Sequence, residues 1–123
     1  MAIPPVAPDV AIVHVHQADQ YGNARITGTL FEDLLMVQAA KRVILTAEQI
    51  VDGVEFEAHP EQTTISSLYV TDVVEAPQGA WPFGCAGLYA PDEAYLAEFL
   101  TVSNGTDEIA AFVAERLMEA APA

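Results

Sequence analysis

Basic residues are scarce in this chain. Arg25, Lys41, Arg42 and Arg116 stand against 18 acidic residues, a formal net charge of −14 over 123 residues. Binding a phosphate backbone needs clustered cations, so a nucleic-acid partner is excluded, and this chain alone is not expected to hold a polyanionic small molecule. So acidic a surface serves solubility first. Cysteine occurs once, at Cys85, which rules out an internal disulfide and points to a reducing compartment. The expected location is cytoplasmic. No apolar run approaches the ~20 residues that span a bilayer, so no membrane partner is expected. The opening MAIPPVAPDV has neither a basic flank nor an unbroken apolar core; residues 1–8 read as a Pro-rich lead-in rather than a secretory signal. There is no Walker pattern, no G-x-G-x-x-G and no G-x-S-x-G elbow.

What is abundant is apolar residue. Hydrophobic types make up 52% of the chain, and a single domain of this size has limited core to hide them in. Excess apolar surface without a membrane span predicts faces covered by another polypeptide.

Periodicity gives an α/β reading with a mostly parallel sheet flanked by helices, in one domain over residues 1–123. DVAIVHVHQ (9–17) has the continuous apolar run of a strand covered on both faces. ADQYGNAR (18–25) supplies turn chemistry through Gly22 and Asn23, with an extended piece over 25–27. LFEDLLMVQAAKR (30–42) reads as a helix whose acids lie near its start and whose Lys41 and Arg42 complement the dipole at its end. VILT (43–46) is a short buried strand, AEQIV (47–51) a helical turn, and 53–67 a loop. SLYVTDVVEA (67–76) reads as a strand. Two helices follow, over 91–103 and 104–120, the second with Thr106 as N-cap and Ile109, Phe112, Val113, Arg116, Leu117 and Ala120 on one stripe.

The stretch EAPQGAWPFGCAGLY (75–89) holds the only Trp and the only Cys among turn-forming residues. A surface turn has no use for Trp81, Phe83 and Cys85. Cys85 is a candidate nucleophile, but no basic neighbour is visible to lower its pKa, and a small buried hydrophobe is the preferred reading. His14 and His16, two apart on a strand, point to one face. A metal pair there needs a third ligand, for which Asp19 and His59 are the conceivable sources; no residue stands at metal spacing, and no metal is expected. Glu32–Asp33 and Asp107–Glu108 sit where helix N-termini favour negative charge and read as structural. GCAG (84–87) lacks the strand–turn–helix setting of a phosphate cradle. No complete catalytic set is present.

Taken in order, PDVAIVHVHQADQYGNARI (8–26), AAKRVILTAEQIV (39–51) and VTDVVEAPQGAWPFGCAGLY (70–89) closely resemble the C-terminal half of the α subunit of class I coenzyme A transferases, the glutaconate CoA-transferase type being nearest. The resemblance runs from about residue 4 to about residue 118. It implies an open α/β subunit that pairs with a β subunit, often as α2β2. It also implies that a Glu in an S-E-N-G motif of the β chain attacks an acyl-CoA thioester, through an acyl-enzyme anhydride and a glutamyl-CoA thioester. Coenzyme A thioester is then substrate, with no permanently bound cofactor.

This sequence has no S-E-N-G; the SNG at Ser103–Gly105 lacks the Glu. The Gly-Gly-rich segment of the family's α N-terminus is missing as well. The resemblance therefore implies two partners, a β chain and a polypeptide supplying the N-terminal half, which together with the acyl-CoA would complete the site. Gly79, Ala80, Trp81, Pro82 and Cys85 are the substrate-pocket candidates, with the catalytic residue in the partner. Where the family reads GAHP, Trp81 replaces His; CYG becomes Cys85, Ala86, Gly87, and YDYD becomes Tyr89, Ala90, Pro91, Asp92. Family relatives include CoA-thioester hydrolases and a glutaconyl-type decarboxylase, which a less polar loop would also suit. The remaining alternative is a truncated, non-catalytic interaction module.

Overall fold

The computed structural model describes the backbone over residues 6–102 and 106–120, and the side chains of those residues except 106 and 117–120. Ser103–Gly105, the cap role of Thr106 and the stripe positions Leu117 and Ala120 lie outside the described residues or side chains.

Four strands form one sheet in the order β2-β1-β3-β4, with β1 at Val10–Asp19, β2 at Ala24–Arg25, β3 at Arg42–Val51 and β4 at Asp72–Glu75. β1, β3 and β4 run parallel, and β2 folds back antiparallel on β1. The helices are α1 (Asp33–Ala39), α2 (Gly53–Ala58), α3 (Glu93–Val102) and α4 (Thr106–Ala120). The architecture is the mostly parallel α/β sheet flanked by helices that the alternating pattern predicts.

Strand alternation sorts the two sheet faces. Ala11, Val13 and Val15 of β1 stand beside Val43, Leu45 and Ala47 of β3, all buried, and Val37 of α1 with Ile65 closes over them. The opposite face carries Ile12, His14 and His16 beside Ile44, Thr46 and Glu48. Part of it is bare: Ile12 is 63% exposed, and Val74 of β4, level with Thr46, is 50% exposed.

Several boundaries differ from the sequence reading. The helical turn expected over 47–51 is the second half of β3, in register with β1 from Val15↔Ala47 to Asp19↔Val51. Ala, Glu and Gln favour helices in isolation, but ladder pairing in a buried sheet outweighs that weak preference. The helix expected over 30–42 is only α1. Ala40 turns extended, so Lys41 and Arg42 leave the helix and pair with Asp9 (2.7 Å) and Asp72 (2.9 Å) instead of facing its dipole. Within the expected loop 53–67, Asp52 caps α2 by accepting from the Val54 N–H at 3.0 Å. The strand expected from residue 67 starts at Asp72; Ser67–Tyr69 is a short 3-10 turn.

The ADQYGNAR turn is as predicted, and its cause is visible. Asp19 is fully buried, and its carboxylate accepts from the Tyr21 and Asn23 backbone amides (both 2.9 Å) and from Asn23 Nδ2 (2.8 Å). Asn23 Oδ1 in turn accepts from the Ser67 amide at 3.1 Å. Gly22 sits at φ +98°, where a Cβ would lie 2.8 Å from the Val70 side chain. The buried carboxylate is thus neutralised by donors rather than by a cation, which is how an interior charge is tolerated.

Asp19→Ala should therefore cost about 3 kcal/mol, because the donors it leaves have no other acceptor. Gly22→Ala should be comparably harmful through its left-handed φ and the Val70 contact. Urea denaturation reads both; an unshifted midpoint for Asp19→Ala would show that this carboxylate does not hold the turn.

Candidate functional site

The loop after β4 lies across the bare-side face at the carboxyl ends of the parallel strands. That is where open α/β sheets place their ligands. Glu48, on β3, holds the loop at both ends. Its Oε2 accepts from the Gln78 backbone amide at 2.7 Å, while Oε1 accepts from Tyr89 Oη in a very short hydrogen bond and from His14 Nε2 at 2.7 Å. Tyr89 Oη also accepts from the Ala80 amide at 3.0 Å, and His14 Nδ1 lies 2.9 Å from Thr46 Oγ1. Gly79 lies flat on the His14 ring; a Cβ there would come within 2.7 Å of His14 Cε1.

This setting fixes protonation. Burial pushes the Glu48 carboxyl up, but the hydrogen bonds from Tyr89, Gln78 and His14 together outweigh it and hold the group below the usual carboxylate range. Tyr89 is pushed up, first by burial and then by its bond to Glu48. The Cys85 thiol is pushed up by burial and by the Glu48 charge.

Cys85 is buried and pairs backbone to backbone with Tyr89 (3.0 and 3.1 Å). A basic-type neighbour that the sequence did not reveal stands next to it: His16 Nε2 is 3.4 Å from Sγ. His16 is not free to act as its base, however. Nδ1 accepts from the Thr27 amide at 3.2 Å, so Nε2 carries the proton and directs it to Ala86 O at 2.8 Å. A protonated, buried thiol beside a carboxylate is a poor nucleophile.

His14 and His16 do share a face. The ligand-type atoms that gather at His14 are those of Glu48 and Cys85, within 4.8 Å of one another. Asp19 is in the turn, and His59 pairs with Glu61 at 3.4 Å. Each polar atom at His14 and Glu48 has a protein hydrogen-bond partner.

None of the pocket candidates Gly79, Ala80, Trp81, Pro82 and Cys85 lines the cleft beside this loop. Ala80 is tied to Tyr89, and Trp81 leaves the sheet to pack on Tyr95 of α3 at 4.4 Å between ring centroids. Tyr95 and Phe99 then pack on Phe112 of α4 (5.4 and 5.8 Å). Pro82 follows Trp81 across a cis peptide, and its carbonyl accepts from the Asp92 amide. The next segment, Ala86–Leu88, instead walls a cleft of about 650 Å³ whose other lining includes His16, Gln17, Arg25, Thr27, Gln49 and Gln62. GCAG opens no helix, as expected; Gly87 turns at φ +79°. Glu32–Asp33 and Asp107–Glu108 lie at or beside the starts of α1 and α4. Sequence reasoning missed Glu48, Tyr89 and Arg25, whose deciding partners lie 30 or more residues away.

The family model for coenzyme A transferase matches residues 1–76. The chain belongs to the coenzyme A transferase family. It is 38% identical over 115 residues to the A-type subunit of glutaconate CoA-transferase from Acidaminococcus fermentans, covering 94% of this chain and 36% of that one. The crystal structure of that enzyme superposes with a TM-score of 0.84 over 87% of this chain and 34% of the other, at 39% identity. A variant of the decarboxylase AibA/AibB superposes with a TM-score of 0.75 at 36% identity, over 94% of this chain and 41% of its own. The IpdA subunit of a cholesterol ring-cleaving hydrolase from Rhodococcus jostii is 34% identical over 122 residues, 95% of this chain and 40% of the relative. The chain thus spans about two-fifths or less of the length of each. Among the described residues, no helix is long and apolar enough to cross a membrane.

The acid limb of stability tests the Glu48 lock. Its folded pKa is depressed, so its contribution is complete above the ordinary carboxylate range and is lost as pH falls through the folded value. Glu48→Gln should lose about 2 kcal/mol at pH 7 and show a flatter decline below pH 5 than the parent. Melting curves across pH 3–7, with Trp81 emission as the loop's reporter, check this; parallel curves for parent and variant would dissociate Glu48 from the loop.

Proposed function

We propose that this chain is part of the A-type component of a heteromeric CoA-transferase-like enzyme acting on an acyl-CoA thioester with a short dicarboxylic or branched acyl group. It contributes scaffold and pocket wall, and the attacking carboxylate comes from a B-type partner. A polypeptide equivalent to the rest of the A-type component completes the assembly. The observation that carries this reading is the Glu48 lock: a conformationally fixed loop is built at the carboxyl ends of the parallel strands, yet the one thiol it contains is buried and kept protonated. Such a site positions and encloses, and leaves bond-making to a group from elsewhere. Gly79, Ala80, Trp81, Pro82 and Cys85 are the wall, with Trp81 clamping the loop to the α3–α4 pair.

A related reading, acyl-CoA decarboxylation or thioester hydrolysis on the same scaffold, draws on Trp81. The resemblance calls for a His there, and an indole packed on Tyr95 provides no acid–base group. Relatives named as a decarboxylase and a hydrolase support the same reading.

Co-expression with a B-type chain and the remainder of an A-type chain should give a stable complex that turns over acyl-CoA, while the 123-residue chain alone is inactive. Cys85→Ser should keep at least half of the complex's rate. Turnover by the isolated chain, or its abolition by Cys85→Ser, would overturn the assignment of chemistry to the partner.

A further inference from the structure

We infer that the cleft walled by Ala86–Leu88 binds a small carboxylate anion and that Arg25 is its counter-ion. The inference rests on the enzyme reading only for the biological occupant, the free carboxylate of an acyl chain. The cleft's chemistry stands without it.

Position and size come first. Residues from the second halves of β1 and β3, His16, Gln17, Glu48 and Gln49, line the cleft. At about 650 Å³ it falls within the range of small-molecule sites.

Charge is the deciding observation. Three of the four cations are ion-paired: Lys41 with Asp9 (2.7 Å), Arg42 with Asp72 (2.9 Å) and Arg116 with Glu98 (2.9 Å). Arg25, among the described residues, has no carboxylate oxygen within 4.0 Å, although the chain carries 18 acids. Neutral groups hold it in place instead. Its Nη2 donates to Glu55 O at 2.7 Å and reaches His59 O at 3.5 Å, and the guanidinium lies 4.3 Å over the Phe56 ring. Closing the end of α2 accounts for Nη2 alone. Nη1 has only a 3.5 Å contact with Gln17 Oε1, and Nε has no partner. The side chain's Nη1 is under-used, its unpartnered Nε is buried, and it shares the cleft lining with Gln17, Gln49, Gln62 and Thr27, whose amides and hydroxyl are neutral donors. The single acid in the lining, Glu48, keeps its charge but has both oxygens committed to Gln78, Tyr89 and His14, so the anion's place is beside Arg25.

One cation among neutral donors matches one carboxylate group; the far carboxylate of a free diacid would stand in solvent. A carboxylate fits; a polyphosphate would face one Arg inside a molecule of net charge −14.

The test is a titration of the ¹⁵N-labelled 123-residue chain with glutarate, glutaramide and inorganic phosphate at matched ionic strength, following Arg25 Nε–H and the Ala86 and Gly87 amides. Glutarate should give saturable shifts at those signals, glutaramide none, and phosphate weaker ones. Arg25→Met should weaken glutarate binding at least about tenfold. Because that variant also removes the α2 contact, Gln49→Leu provides a second measure; it keeps Arg25 and its carbonyl partners and should weaken binding severalfold. Equal shifts with glutaramide, tighter phosphate than glutarate, absence of saturation, or parent affinity in Arg25→Met would each overturn the inference. If glutarate binds as described but no reconstituted complex turns over acyl-CoA, the enzyme reading fails and the site stands. If a complex is active on a dicarboxylic acyl-CoA and indifferent to Arg25→Met, the site fails and the enzyme reading stands.

Discussion

One carboxylate organises the functional face. Glu48 reaches out of β3 and is held by the amide of Gln78, the hydroxyl of Tyr89 and the ring of His14. Those three donors come from both ends of the 76–89 loop and from the neighbouring strand, so a single ion fixes loop to sheet. Its burial costs free energy, and the donors more than offset that cost, which is why the group stays ionised. The consequences reach past the loop stem. With Gln78 and Tyr89 anchored, Trp81 is placed on Tyr95 and Ala86 on His16, so the α3–α4 pair and the cleft wall both inherit their positions from the same charge.

The same ion explains the state of the thiol. Cys85 shares the low-dielectric space under the loop with a fixed negative charge, so ionising the thiol there is disfavoured. Burial and that charge both raise the thiol's pKa and make Cys85 a weak nucleophile where it stands. His16 stands close enough to mislead, but its two ring nitrogens are both committed, one to the Thr27 amide and one to the Ala86 carbonyl.

How much of this is legible in the sequence depends on how far each cause extends along the chain. β1 is plain because its alternation and apolar run are local, and the Gly22–Asn23 turn is plain because Asp19, Gly22 and Asn23 lie within five residues of one another. The resemblance to the CoA transferases rests on the same compact blocks. The second half of β3 is not legible: AEQIV has the composition of a helix, and only pairing with β1 decides otherwise. Glu48 was hidden inside that misread segment, and its partners lie 30 to 41 positions away. Lys41 and Arg42 likewise look like helix-dipole partners until Ala40 turns extended and hands them to Asp9 and Asp72.

The apolar excess finds its place on the sheet. A parallel sheet exposes backbone polar groups along its edges and needs both faces covered, because its strands are hydrophobic on both sides. Here the face packed by α1 is dry, and the loop covers only the upper end of the other. Ile12 and, level with Thr46, Val74 of the edge strand β4 remain exposed. The chain's own α3 and α4 are occupied with one another and with Trp81 through the Tyr95–Phe112–Phe99 cluster, so they leave this strip uncovered. Apolar residues left in solvent on one face of a parallel sheet are the pattern expected where another layer packs against it. The acidic surface, with a net charge of −14, opposes indiscriminate association through such exposed apolar residues by like-charge repulsion.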